Sequence, residues 1–382
     1  MVEQLHQSID RLEQYIRRNN FQGYDPYDLL ESPLFSGLPH KLKFVIQQLG
    51  RRSPVNFRPL FRVKKGYNPV SLGLCLQGYA YRFAETAEKK YDANINRLIA
   101  DLSRLRSSGY HGTCWGYDFH WAARYTTIEA YSPNIVATGV ITHALFEARR
   151  ILKIPEAGDM LIDAVNFVEK DLNRTTVDNT LCFSYSPRDR QQVYNASMKA
   201  VRLLSQAYAL TGEKAFVELA ERAVAFVVRH QDQKGAWAYA RGDARTWVDN
   251  YHTGYILDCL HEYRSLTKDD SVAESLRRGL QYYYDTFFYK GVIPKFRSDR
   301  IYPIDATGVA QSILTLSRFD YLDRALEVAG YAIREMQAAE GYFYFRRYKY
   351  YKNKISYMRW SNAWMFAALS YLSWRLFDER TK

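Results

Sequence analysis

Two kinds of apolar pattern alternate along the chain. In one, apolar residues recur at i, i+3, i+4 and i+7 with charged residues between them. EKAFVELAERAVAFVVRH from Glu213, DSVAESLRRGLQYYYDTFF from Asp270 and DYLDRALEVAGYAIREMQ from Asp320 have this form. That period belongs to a helix packed on one side. In the other, small and apolar residues cover most faces, as in ATGVITHALFEA, ASMKAVRLLSQAY, ATGVAQSILTL and AWMFAALSYLSW. Such helices are buried on most sides. Each successive pair therefore reads as a hairpin of one inner and one outer helix.

Every inner helix opens on a polar or aromatic cluster. The clusters are YNPVSLG at Tyr67, YSPNIVATG at Tyr131, YNASMKA at Tyr194, DNYHTGY at Asp249, YPIDATG at Tyr302 and RWSNAWM at Arg359. Asn68, Asn134, Asn195, Asn250, Asp305 and Asn362 align, at separations of 66, 61, 55, 55 and 57 residues. A near-constant period marks a repeat architecture. Five complete hairpins follow, over about 70–107, 133–173, 193–231, 249–287 and 303–338. A sixth inner helix, about 359–378, has no partner after it, and the amphipathic helix at about 2–20 has none either. Pairing these two closes a ring of six, which removes the ends that an open stack must cap.

The predicted fold is all-α: one (α/α)6 toroid domain over residues 1–382, an open stack of helical hairpins being the alternative. Short β-hairpins are expected in the loops at one mouth, from the alternating aromatic stretches CWGYDFHW, LCFSYSPRD, GAWAYARGD, VIPKFRSD and GYFYFRRYKYY. Residues 21–65, with GYDPYDLLESPLF, fit no repeat and are predicted to cover one end of the barrel.

Composition narrows the function. Apolar residues make up 47% of the 382, enough for a sizeable core, and the formal net charge is +12. That charge favours an acidic partner: nucleic acid, an anionic membrane surface or an acidic polysaccharide. The basic stretch with Arg346, Arg347, Lys349, Lys352 and Lys354 interleaves cations with tyrosines, yet a solvated hairpin explains it better than nucleic acid does. No P-loop, GxGxxG, GxSxG, HExxH or aspartate-rich cluster is present. Cys75, Cys114, Cys182 and Cys259 show neither CxxC spacing nor histidine neighbours, which argues against a zinc site and a disulfide framework. The expectation is no metal and no cofactor. The N-terminal segment is charged throughout, unlike a signal peptide, and no run of about 18 apolar residues occurs. A cytoplasmic protein without a transmembrane segment is predicted, with peripheral membrane contact left open and the oligomeric state undetermined.

Six inner helices starting on one face bring six clusters to one mouth. Aromatic residues reach 15%, with 32 Tyr. Tyr and Trp faces stack on sugar rings, while carboxylates and amides bind hydroxyls. The catalytic candidates are Asp249, His252, Asp305 and, from WGYDFHW, Asp118. The binding candidates are Trp115, Tyr117, His120 and Trp121 from the same stretch, with Tyr194, Asn195, Trp237, Trp247 and Asn250. Tyr302, Arg359 and Trp360 complete them. Asn134, Asn195 and Ser361 also suit plain helix caps. His143 reads as a core residue, and His261 as lying at the far end.

Hydrolysis of a glycoside needs two carboxylates. Asp249 and Asp305 open neighbouring inner helices, with Asp118 in reserve. Lysis or epimerisation of a uronic acid needs a base and a cation. His252 and Arg359, with Tyr302, could supply them. A planar guanidinium also suits a carboxylate or phosphate clamp.

The phrases GYDPYDLLESPLF, WGYDFHW, DLNRT with CFSYSP, YNAS, WVDNYHTGY, IYPID and YMRWSNAWMFAALS occur in this order along nearly the whole chain. Together they resemble a family of bacterial and archaeal polysaccharide biosynthesis proteins, of capsule, O-antigen or exopolysaccharide type. The resemblance implies a six-hairpin, glycosidase-like toroid, and it carries over no catalytic residue. The expected partner is an oligo- or polysaccharide, in acidic or lipid-linked form as options, and not nucleic acid. A non-catalytic glycan-binding or scaffolding role is the alternative. A terpenoid cyclase-like enzyme ranks below both, since the mouth is polar and the aspartate-rich motif is missing.

Overall fold

The computed structural model describes residues 1–123, 126–242 and 244–381. In chain order its helices are α1 (Val2–Arg18), α2 (His40–Arg52), α3 (Pro69–Thr86), α4 (Asp92–Arg104), α5 (Ile135–Leu152), α6 (Pro155–Asn166) and α7 (Tyr194–Thr211). Then come α8 (Lys214–Arg229), α9 (Asn250–Thr267), α10 (Ala273–Phe287), α11 (Ala306–Arg318), α12 (Leu322–Met336) and α13 (Trp364–Thr381). Helices α3, α5, α7, α9, α11 and α13 pack neighbour to neighbour, and α13 returns to α3. The ring is closed. Outside it, α4, α6, α8, α10 and α12 each lie against the inner helix before them, and α1 packs on α13 as the sixth outer helix. The (α/α)6 toroid expected from the two apolar patterns is the observed fold.

The burial follows the two patterns. Helix α7 is buried continuously from Tyr194 to Ala207. Helix α8 buries only one stripe: Ala220, Ala223, Val224, Phe226 and Val227. Four of the six inner helices begin at side-chain caps, while α7 starts without one and Asn195 lies inside its first turn. Asn68, Asn134, Asp249 and Asp305 accept from the backbone N–H of Val70, Ala137, His252 and Thr307. The sixth inner helix differs from expectation. RWSNA winds as a wide π-turn (Met358–Ala363), and the regular helix starts only at Trp364.

The expected loop strands are short. Thr180–Phe183 pairs with Arg174–Val177, Ala240–Arg241 with Gln192–Val193, and Ile293–Pro294 with Phe288–Tyr289. Tyr344–Arg347 sits between Lys352–Ser356 and Ile304–Asp305. Of CWGYDFHW only Trp121 joins a strand, where Trp121–Ala122 pairs with Thr127–Ile128. The rest is irregular apart from a bridge of Gly116 to Pro133, where Gly116 lies directly against the backbone of Ser132. The last residue of GAWAYARGD, Asp243, lies outside the described residues.

Small residues let the inner helices approach closely. A Cβ on Gly139 would lie 2.7 Å from Lys199 of the next helix, and one on Gly78 would lie 2.5 Å from the ring of Phe366. The second contact is where α3 meets α13 and the ring closes. Gly78→Val should therefore lower stability by about 1–3 kcal/mol through overpacking. A urea titration followed by circular dichroism checks this, and an unchanged midpoint would show that the closing contact has slack.

Candidate active site

The caps gather the inner-helix starts at one end, and residues 21–65 fold onto that end. The Gln47 side chain accepts from the Ala122 N–H at 2.8 Å and donates to its carbonyl at 3.0 Å. Deeper, Arg359 donates from Nε and Nη2 to the Asp25 carboxylate at 2.7 and 2.9 Å. Beside it Arg58 pairs with Asp28, donates to the Tyr357 hydroxyl at 3.0 Å and to the Asp25 carbonyl at 2.7 Å. The Arg359 guanidinium also lies over the rings of Tyr117 (4.7 Å) and Trp360 (5.1 Å). It is buried, and its charge is met within the chain. That corrects the expectation of Arg359 as a free clamp: its fork is already filled by Asp25, which lies far away in sequence.

Asp249 and His252 form a compact unit at the start of α9. One Asp249 oxygen accepts the His252 backbone N–H at 3.0 Å, and the other lies 2.7 Å from His252 Nδ1. A carboxylate at Nδ1 holds a proton there, so in the neutral ring Nε2 carries the lone pair. The His252 side chain is 20% exposed while that of Asp249 is 2% exposed. The imidazole sits among aromatic rings: Tyr251 at 4.3 Å, Tyr239 at 4.8 Å and Tyr255 at 6.1 Å between centroids. Trp247 stacks on Tyr239 at 5.2 Å, and Trp360 meets Tyr251 at 6.2 Å and Tyr27 at 5.7 Å. Burial pushes the hydroxyls of Tyr239, Tyr251 and Tyr255 well up, so these phenols stay neutral.

Asp305 is placed differently from expectation. It is 1% exposed and accepts from Arg346 Nε at 2.6 Å, Trp360 Nε1 at 3.0 Å and the Thr307 N–H at 3.1 Å. With three acceptor directions occupied and almost no exposure, this carboxylate pairs with Arg346 and tethers Trp360. Asp118 is the more available acid. It is half-buried, accepts from Asn68 Nδ2 at 2.5 Å, and lines a small cleft with Asp25, Glu31, Ser71 and Arg359. Burial raises its pKa to about 6, against the lowering effects of Asn68 and Arg359. A Cβ on Gly66 would collide with this carboxylate, so glycine there makes its room.

Other candidates lie apart from this cluster. Trp115 and Trp237 are buried, with indole N–H groups donating to the Leu102 carbonyl (2.8 Å) and the Val227 carbonyl (2.9 Å). Tyr194 packs in the core on Phe226 at 6.0 Å. Asn250 is buried and accepts from Tyr283 at 2.9 Å and Ser312 at 3.2 Å. These four are core residues because their helix or loop turns them inward, which the local pattern does not reveal. His120 is exposed and contacts Glu31 at 2.7 Å. Trp121 is half-buried in its strand, and Tyr302 is half-buried beside Arg347 at the rim. Of the basic hairpin, Arg347 and Lys352 both meet Glu335 at 3.3 Å. His143 is buried on Gln206 at 2.9 Å and His261 packs on Phe319 at 4.8 Å, as a core and a far-end residue respectively.

One face of α7 runs from the binding candidate Asn195 into polar residues that sequence reasoning passed over. Asn195, Lys199, Arg202 and Gln206 share it by helical spacing, and all four are buried. Asn195 Oδ1, Arg202 Nε and Gln206 Oε1 have no hydrogen-bond partner among the described residues. Lys199 Nζ lies 4.2 Å from the centre of the Tyr255 ring, directly under the aromatic cluster. Burial, then Arg202, lowers its pKa to about 7. Lys199 and Arg202 in a helix buried continuously from Tyr194 to Ala207 were the available signal.

Comparison with known proteins agrees with this architecture. Residues 66–289 match the beta-L-arabinofuranosidase, GH127 catalytic domain. No curated protein matches the chain. Among solved structures, cellobiose 2-epimerase from Bacillus thermoamylovorans is similar at 10% identity, with a TM-score of 0.64, covering 83% of this chain and 90% of its own. The GH76 alpha-mannanase from Bacteroides thetaiotaomicron is similar at 12% identity, TM-score 0.61, covering 84% and 89%. Unsaturated glucuronyl hydrolase from Bacillus sp. GL1 is similar at 12% identity, TM-score 0.62, covering 97% and 96%. At these identities the structures share the fold. The family match spans α3, α5, α7 and α9, the cleft acid Asp118 and the Asp249–His252 unit, and the chain belongs to the family of the beta-L-arabinofuranosidase GH127 catalytic domain.

Proposed function

We propose that the protein processes an oligosaccharide, with His252, held by Asp249, as the proton-transferring group and Asp118 as the acid. The observation that carries this reading is the 2.7 Å contact between His252 Nδ1 and Asp249 inside an aromatic box at the barrel mouth. The carboxylate orients the ring, leaves Nε2 to exchange a proton with substrate, and stabilises the imidazolium that forms. Asp118, with a pKa of about 6, keeps a protonated fraction near neutral pH and can donate to a leaving oxygen. Arg359 donates to Asp25 in the cleft that Asp118 lines and lies over the Trp360 ring, which meets Tyr251 of the aromatic box.

Tyr239, Tyr251, Trp247 and Trp360 supply faces for stacking on sugar rings, and the neutral phenols donate to hydroxyls. Arg359 and Arg346 are both held by carboxylates, while Arg297 over the Trp247 ring (5.3 Å) and Lys199 beside the Tyr255 ring (4.2 Å) set cations against the same wall. The glycosidase family supports cleavage of a glycosidic bond, with Asp118 and His252 in place of an Asp249–Asp305 pair. The resemblance of the motifs to surface-polysaccharide biosynthesis proteins supports an oligosaccharide of such a pathway as substrate. Proton exchange at a sugar carbon is the second reading, favoured by a histidine ringed by tyrosines.

Mass spectrometry of neutral and acidic oligosaccharides incubated in oxygen-18 water and in deuterium oxide tests this. Cleavage with oxygen-18 at the new end is expected, and carbon-bound deuterium without cleavage would select epimerisation. His252→Asn should lower kcat by about 10²–10⁴-fold, and Asp249→Asn should lower kcat with little change in KM. Full activity in folded His252→Asn would remove the histidine from the chemistry.

Asp118 also makes a pH prediction. Its carboxyl titrates near 6 in the folded chain against an ordinary value of 3.8. Between those values the folded state holds the extra proton, so this group's contribution to stability falls as pH rises through the window. Asp118→Asn removes that fall. Urea midpoints of variant and parent should converge below about pH 4 and separate in the variant's favour above about pH 6.

A further inference from the structure

Helix α2 is amphipathic in the reverse sense. Its inward face carries Gln47, bound to Ala122, and Gly50, packed on Leu29. Its outward face carries Leu42, Val45 and Leu49, which are 51%, 50% and 65% exposed. The loop that follows adds Val55, Phe57 and Leu60, the last 71% exposed. Among the described residues every exposed Leu and Val, and all exposed Phe but Phe377, fall between residues 34 and 60. Phe57 meets Phe61 at 6.3 Å and Phe61 meets Phe35 at 5.2 Å, so loop and preceding turn join in one ridge. A concentrated apolar patch of this kind marks a surface that is covered in use.

The charge of the same stretch says by what. Residues 36–65 contain eight Lys and Arg and no Asp or Glu, against a net charge of +12 for the whole chain. Arg58 is buried on Asp28. Lys41, Arg52, Arg62 and Lys64 are exposed and form no ion pair among the described residues. A self-complementary contact with a second copy would set these cations against their own equivalents. A nucleic acid would satisfy the cations and leave the leucines in water. An anionic bilayer accepts both, the leucines at the acyl boundary and the cations among the headgroups.

We infer that residues 34–65 dock the protein on an anionic lipid surface. The docking face borders the mouth: Gln47 holds Ala122, and His40 Nδ1 meets Thr127 at 3.1 Å, both on the loop strands beside Asp118. A bilayer on this face sets the barrel mouth at headgroup level. No helix of the described residues is long and apolar enough to cross a membrane. The docking rests on no assumption about the reaction.

Co-sedimentation of the full chain with phosphatidylcholine vesicles, with and without phosphatidylglycerol, tests it. The protein should pellet with phosphatidylglycerol-containing vesicles, stay in solution with phosphatidylcholine alone, and be released by raised salt. Lys41→Gln with Arg52→Gln and Arg62→Gln should weaken binding on the order of a hundredfold. Leu42→Ser with Val45→Ser and Leu49→Ser should weaken it at least about tenfold. All six side chains point outward, and unchanged circular dichroism melts confirm that the variants fold. Absence of the folded parent from the anionic pellet would overturn the inference. So would a stable dimer in light scattering that Leu49→Asp dissolves, because the face would then be a protein interface.

Discussion

The first turn of a helix leaves backbone N–H groups that need acceptors, and this requirement organises the molecule. In a toroid the inner helices all start at one end, so their caps all collect there. Asn68, Asn134, Asp249 and Asp305 are present first as caps. Chemistry is then built on the second function of the same side chains. Asp249 shows this most directly: one oxygen closes the helix and the other holds His252. The orientation of the imidazole is a by-product of starting α9.

Charge is then cancelled selectively. Asp25 takes Arg359, Asp28 takes Arg58, and Asp305 takes Arg346, all within or against the mouth. Buried pairs of this sort add little net stability, because desolvation offsets most of the Coulomb attraction. Their effect here is positional. They pin residues 21–65 to the last inner helix, tether the Trp360 indole, and leave the Asp249–His252 unit and Asp118 outside these ion pairs. The tyrosines around them, held neutral by burial, add hydrogen-bond donors without adding charge.

Neutralising the mouth leaves the positive charge of the protein elsewhere, concentrated along residues 36–65 with the exposed leucines of α2. The same segment thus has two faces with opposite demands. Its inner face is specified by ion pairs and a close glycine contact, and its outer face by exposed apolar and basic side chains. A segment added to a repeat fold is free to do this, because the ring of hairpins is complete without it.

The sequence by itself determined the ring. Helical period, apolar coverage and cap residues are local properties, and six repeats of them leave closure as the consistent solution; the boundaries of the hairpins follow within a few residues. It also singled out DNYHTGY, because Asp249 and His252 are three residues apart and meet by helix geometry alone. Only the tertiary structure decided which charged and aromatic residues remain available. Asp25 lies 334 positions from Arg359, and Asp305 lies 41 from Arg346, so nothing local announces that these side chains are already engaged. Trp115 and Trp237 face the core while Trp247 and Trp360 face the mouth, although all four stand in similar loop or helix-start contexts. Direction of a side chain in an irregular loop depends on what packs against it, and that is set by contacts between repeats rather than within one.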